Sequence, residues 1–167
     1  CIRDRFYTGG KNPYGYRGLG EVAIFIFFGL VAVLGTQFTQ AGHITLTGLA
    51  LAVGIGGMSS AVNLANNIRD IPSDSESGKI TLAVRLGDKK SRNLFMWLLL
   101  IPVLLTIVIA FDSWLALAAL VYFPFALQAV RTVNRGARGP QLIPVLGITG
   151  RAMLVWALVS AIALFLV

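Results

Sequence analysis

The sequence predicts an all-α fold, a polytopic transmembrane helical bundle with five spans. Three observations carry that expectation: composition, the spacing of charge-free runs, and the placement of basic residues. Of 167 residues, 56% belong to the apolar set AVILMFWYC and 13% are charged, against about 25% charged in soluble chains. A 17.9 kDa chain with mean hydropathy +0.78 has more apolar side chain than one soluble core can hide. It also has too little charge to stay disordered.

The first two spans follow from a run of 47 residues, Val22 to Ile68, without Asp, Glu, Lys or Arg. That is room for two helices of about 20 residues each. The polar stretch 36–43, ending at His43, is the expected hinge between them. The third span is expected over Asn93–Phe111 and the fourth over Ser113–Val130, separated by a tight turn at Asp112. The last run, Ala152–Val167, is extended backwards towards Gln141 if Arg151 lies on a polar extension of the same helix.

The 14 basic residues fall in three groups: before the first span, between the second and third, and between the fourth and fifth. Neither the 36–43 hinge nor the Asp112 turn carries any. Basic loops alternating with non-basic ones obey the positive-inside rule. Segments 1–21, 66–93 and 131–151 are therefore expected on the cytoplasmic side of the cell membrane. The net charge of +7 is explained by these loops, and no nucleic-acid partner is expected.

Within the spans, Gly48, Ala52, Gly56 and Ser60 recur every four residues and predict one smooth packing stripe. Gly54-Ile55-Gly56-Gly57 follows no strand and reads as packing, not as a dinucleotide loop. Pro102 and Pro124 are expected to kink their helices. Trp97, Trp114 and Trp156 suit either interfacial anchors or core. One cysteine, Cys1, permits neither an internal disulfide nor a cysteine metal cluster. The chain opens at Cys1 without a signal-peptide pattern, and the expectation is the C-terminal portion of a longer protein.

The segment that carries chemistry is 66–93. Asn66 and Asp70 are four apart and share a helix face if the second span runs that far. Pro72 is expected to end or bend the helix, which places Asp74 on the following turn. Asp70 and Asp74 then suit a divalent cation such as Mg²⁺, which takes few carboxylates and leaves room for phosphate oxygens. Arg69 and Lys79 are candidates to meet the same phosphates. From spacing alone a solvated polar loop with an Asx turn is the better reading; the position at a membrane boundary beside a small-residue helix favours function.

The string NNIRDIPSDSESGKITLAVRLGDKKSR resembles the second aspartate-rich motif of the UbiA superfamily of intramembrane prenyltransferases. Within it, the string is most similar to the menaquinone branch, whose members use 1,4-dihydroxy-2-naphthoate. The branch pattern N-N-x-R-D-x-x-x-D-x-x-x-G-K-x-T-L-A-V-x-x-G is met by Asn66, Asn67, Arg69, Asp70, Asp74, Gly78, Lys79, Thr81, Leu82, Ala83, Val84 and Gly87. Ile80 departs from the basic residue common after the lysine. A second stretch, Tyr7 to Glu21, resembles the same branch before its fifth span. Read by itself it is a turn-rich loop with tyrosines at a lipid interface.

The resemblance implies spans five to nine of a nine-helix fold, with residues 1–167 forming the C-terminal part of one prenyltransferase domain. It implies transfer of a polyprenyl group from polyprenyl diphosphate to 1,4-dihydroxy-2-naphthoate with loss of CO₂, giving demethylmenaquinone in its hydroquinone form. Asp70, Asp74 and, as a third ligand, Asn66 would hold Mg²⁺. Asp70, Asp74 and Lys79 would be catalytic. Arg69 and Lys79 would bind diphosphate, and Lys11, Tyr7 and Tyr14 would lie near the acceptor or phosphate. The family's first aspartate-rich motif, N-D-x-x-D-x-x-x-D, does not occur in this sequence. The chain alone is therefore expected to be inactive and to be preceded by about four more spans. Other aromatic acceptors, and a transport or non-catalytic bundle, are the alternatives.

Overall fold

A computed structural model describes residues 18–166. Five helices in it are long and apolar enough to cross a membrane, and no β-strand occurs among the described residues. They are α1 (Gly20–Ala41), α2 (Leu46–Arg69), α5 (Asp88–Ile109), α6 (Trp114–Asn134) and α7 (Gly139–Phe165). Two short helices, α3 (Ile71–Glu76) and α4 (Leu82–Leu86), fill the connection between the second and third spans.

The span count is as expected from sequence, but the first hinge is shorter. Helix α1 continues through Thr36–Gln40 to Ala41, and Gly42 ends it with φ +73°. Polar side chains there do not break the helix because they bond locally: Thr36 Oγ1 donates to the Ala32 carbonyl at 2.7 Å. Gln37 Nε2 donates to Thr45 Oγ1 at 2.8 Å. Thr45 in turn caps α2 by accepting from Gly48 N at 3.0 Å.

Helix α2 is the hub. It packs on α1, α5 and α7, and its small residues allow this. A Cβ placed on Gly29 of α1 would lie 2.6 Å from the Ala52 carbonyl oxygen and 2.7 Å from Gly56 Cα. The expected stripe therefore faces α1. The neighbouring glycines face other spans: Gly54 lies under the Trp156 ring, and Gly57 faces Leu98 of α5. The 54–57 run is packing. Gly29→Leu should force α1 off α2 and cost about 1–3 kcal/mol by overpacking. Thermal unfolding in detergent checks this, and an unchanged midpoint would contradict the close approach.

Both prolines lie within their spans. Pro102 does not interrupt α5, which is helical across it. Four residues back, the Leu98 carbonyl, which proline cannot bond, faces the open side of Gly57. Pro124 lies at the start of an α-helical half, where its missing N–H costs nothing. The preceding half of α6, Trp114–Tyr122, is a 3₁₀ helix. It buries Ala116, Ala119 and Tyr122, a spacing of three that matches three residues per turn.

The tryptophans separate. Trp156 is fully buried and donates through Nε1 to Thr106 Oγ1 at 2.9 Å. Trp97 and Trp114 are exposed on the bundle surface. Hydrogen bonds also sort the two ends of the bundle. At the non-basic end Thr47 donates to Asp112, and Ser113 Oγ donates to the Ala163 carbonyl at 3.0 Å. At the basic end buried Arg92 donates to the carbonyls of Val133 and Ala137 and pairs with Asp88. Arg151 lies inside α7, and its Nε reaches back to the Gly147 carbonyl, one turn nearer the basic end. This is snorkelling, consistent with the expected extension of the last span.

Candidate functional site

The site is built where α2 ends. Helix α2 runs to Arg69, Asp70 occupies a non-helical junction, and α3 restarts at Ile71 with Pro72 in its first turn. The backbone remains close to helical across the junction. Asp70 N donates to the Asn66 carbonyl at 3.2 Å, and Asp74 N donates to the Asp70 carbonyl at 2.8 Å. Asn66, Asp70 and Asp74 are thus stacked one turn apart, which brings the two carboxylates to one side of the chain.

Each carboxylate has a basic neighbour. Arg69 forks onto Asp70, with Nε at 2.7 Å from Oδ1 and Nη2 at 2.8 Å from Oδ2. Asn66 Nδ2 is 3.4 Å from the same Oδ2. Lys79 Nζ lies 3.1 Å and 3.2 Å from the two oxygens of Asp74. The return of Lys79 depends on Gly78, whose φ of +72° turns the chain after α3. Lys79 N then donates to the Asp74 carbonyl at 2.9 Å. The two pairs differ in exposure: both Arg69 and Asp70 are about a quarter exposed, whereas Asp74 is buried.

The donor set fits half of a Mg²⁺ site. Mg²⁺ is bound by one or two carboxylates together with substrate phosphate oxygens and water. Asp70 and Asp74 supply two hard anionic donors, and the Asn66 amide oxygen is a third candidate. No group of three His, Cys, Asp or Glu side chains that could hold a metal occurs among the described residues. A divalent cation on Asp74 must displace or share the bidentate contact of Lys79.

An apolar groove of about 460 Å³ leads away from these residues between α1, α2 and α7. Ile24, Phe28, Val62, Leu146 and Met153 form its walls, with Asn63 and Asn66 among its lining. Of the residues the sequence singled out, the structure brings together Asn66, Arg69, Asp70, Asp74 and Lys79. Tyr7, Lys11 and Tyr14 lie outside the described residues.

One acid lies outside the aspartate pair, at the end of the Tyr7 to Glu21 stretch. Glu21, in the first turn of α1, is 5% exposed. Its Oε1 accepts from Asn67 Nδ2 at 2.6 Å and Asn63 Nδ2 at 3.2 Å, and its carbonyl accepts from Ser60 Oγ at 2.8 Å. The sequence trace of this cluster is the Asn63/Asn67 pair, four apart on the face that the small-residue stripe turns to α1. Asn66 and Asn67 therefore point to different tasks, one to Asp70 and the other to α1.

A profile of the UbiA prenyltransferase family matches residues 5–142. Over 168 residues the chain is 55% identical to the 1,4-dihydroxy-2-naphthoate octaprenyltransferase of Mycobacterium leprae, covering 99% of this chain and 57% of the relative. The protein of that name from Mycobacterium tuberculosis is 54% identical over 98% of the chain and 56% of its own length. That from Escherichia coli is 36% identical over 96% and 53%. The chain spans little more than half the length of these relatives.

Proposed function

The chain belongs to the UbiA prenyltransferase family, and from that premise we propose that it works as the C-terminal part of a longer prenyltransferase domain. The reaction is transfer of a polyprenyl group from polyprenyl diphosphate to 1,4-dihydroxy-2-naphthoate. The observation that carries this reading is the pair Asp70 and Asp74, one turn apart at the basic end of a membrane bundle. The names of relatives matched over nearly the whole chain support the acceptor.

Asp70 and Asp74, with Asn66, would hold Mg²⁺. When bound, Mg²⁺ supplies charge neutralisation for a departing diphosphate. Arg69 and Lys79, held on Asp70 and Asp74, would bring positive charge to the same phosphate oxygens, Arg69 through the guanidinium N–H groups that Asp70 leaves unused. Breaking the allylic C–O bond leaves an allylic cation and diphosphate. The electron-rich ring captures the cation, and its carboxylate leaves as CO₂. Apolar walls keep water from the cation. Lys11, Tyr7 and Tyr14 are proposed beside the acceptor or phosphate. Segments 1–21, 66–93 and 131–151 are proposed on the cytoplasmic side of the cell membrane.

The groove beside Asn66 is sized and lined for part of an isoprenoid tail. Met153→Trp should fill it and raise KM for long polyprenyl diphosphates several-fold more than for geranyl diphosphate. Equal effects on both would remove the tail from this groove. The reaction itself is tested by offering the complete protein 1,4-dihydroxy-2-naphthoate, 4-hydroxybenzoate and homogentisate with one prenyl diphosphate. Product masses should show prenylation of the naphthoate alone; preference for another acceptor would overturn the substrate assignment.

A further inference from the structure

Glu21 is more than a strut between α1 and α2. A cavity of about 30 Å³ lies at the basic end, lined by Gly18, Gly20, Glu21, Asn63, Asn67, Lys79, Thr81 and Leu82, a space on the scale of one water molecule. Two amides hold Glu21 Oε1, but Oε2 is buried without a hydrogen-bond partner among the described residues. A buried carboxylate oxygen left unpaired is costly. Lys79 borders the same cavity while its Nζ rests on Asp74.

We propose that Glu21 is a positioning residue that gives Lys79 a second carboxylate partner, so that Lys79 can leave Asp74 when Asp74 takes a divalent cation. An ammonium and a divalent cation compete for one buried carboxylate, and the displaced ammonium, on a side chain 36% exposed, is favoured where a second carboxylate lies near. Glu21 lines the same small cavity as Lys79 and is fixed by Asn63 and Asn67, so that its unpaired oxygen would take up the displaced charge. Lys79 is then held beside the metal–diphosphate and no longer opposes it. The inference rests on the proposed role of Asp74 as a metal ligand.

The test is Mn²⁺ binding by the complete protein in detergent, with inorganic diphosphate present, read from the electron paramagnetic resonance of free Mn²⁺. Glu21→Gln keeps an acceptor for Asn67 and removes the charge. It should weaken Mn²⁺ binding about tenfold, and the loss should vanish in a Lys79→Gln background, where no ammonium competes. Wild-type affinity in Glu21→Gln would overturn the proposal. So would a tenfold loss that persists without Lys79, since that marks a purely structural role. If Glu21→Gln does not fold, Glu21→Asp withdraws the charge by one methylene and should cost about threefold, again only with Lys79 present; no loss would overturn the proposal. Wild-type protein that binds no Mn²⁺ would instead remove the metal role of Asp74, and the proposal with it.

Discussion

Asp74→Asn, placed in the complete protein, should lower turnover about a thousandfold and leave the protein inserted and folded. Asp70→Asn should do the same. Removal of one group that stabilises developing charge commonly costs 10²–10³ in rate, and a lost metal ligand acts on diphosphate departure at its most charged point. The folding half of the expectation has separate grounds. Insertion is set by the apolar runs and flanking basic residues, which neither substitution touches. The bundle core, centred on Met58, Leu64, Phe95, Leu99, Tyr122 and Trp156, is remote in kind from these carboxylates. Asn also preserves the shape that Asp74 presents to Lys79 and Asp70 presents to Arg69. Turnover rates beside a thermal unfolding curve check both halves. Near-normal turnover in either variant would remove that aspartate from the metal site.

The second large effect is expected on chelation. EDTA should abolish diphosphate release, and Mg²⁺ should restore it. Ca²⁺ should restore it poorly, because it takes six to eight oxygens at longer distances than a site of two carboxylates and a diphosphate offers. Thermal unfolding in detergent should not move with EDTA, since apolar contacts and interhelical hydrogen bonds hold the described bundle. Turnover that survives exhaustive chelation would exclude the metal role of Asp70 and Asp74.

The number and order of spans were legible because lipid imposes a simple rule: about 20 residues without charge per crossing. Among the described residues, Arg92 reaches the Val133 and Ala137 carbonyls, which brings two of the basic loops to one end of the bundle. The hinge at 36–43 was misplaced because Thr and Gln read as loop formers, whereas Thr36 and Gln37 satisfy their polar groups on neighbouring backbone and on Thr45. The 3₁₀ half of α6 was hidden because an all-apolar run has no polar face to mark its period; only burial of Ala116, Ala119 and Tyr122 exposes it. Trp156 was undecided for the same reason, and Thr106 on another span makes it core.

The site was legible in its local part. Asn66, Asp70 and Asp74 are near neighbours in sequence, so helix geometry alone stacks them. Glu21 escaped because its meaning is non-local: it is 42 and 46 residues from the asparagines that bind it. A single acid beginning an apolar span reads as a boundary charge until α1 is laid against α2. Gly29 and Gly56 permit that approach. The same packing that builds the bundle therefore delivers the second carboxylate to the cavity beside Lys79.

The most direct test of the central claim uses 1,4-dihydroxy-2-naphthoate carrying ¹³C in its carboxylate, with a polyprenyl diphosphate, Mg²⁺ and the complete protein in membranes. One ¹³CO₂ and one diphosphate should be released for each prenylated, unlabelled ring product. Prenylated product that retains the label would contradict the decarboxylating transfer. Absence of both product and diphosphate release from correctly inserted protein would contradict the prenyltransferase reading itself.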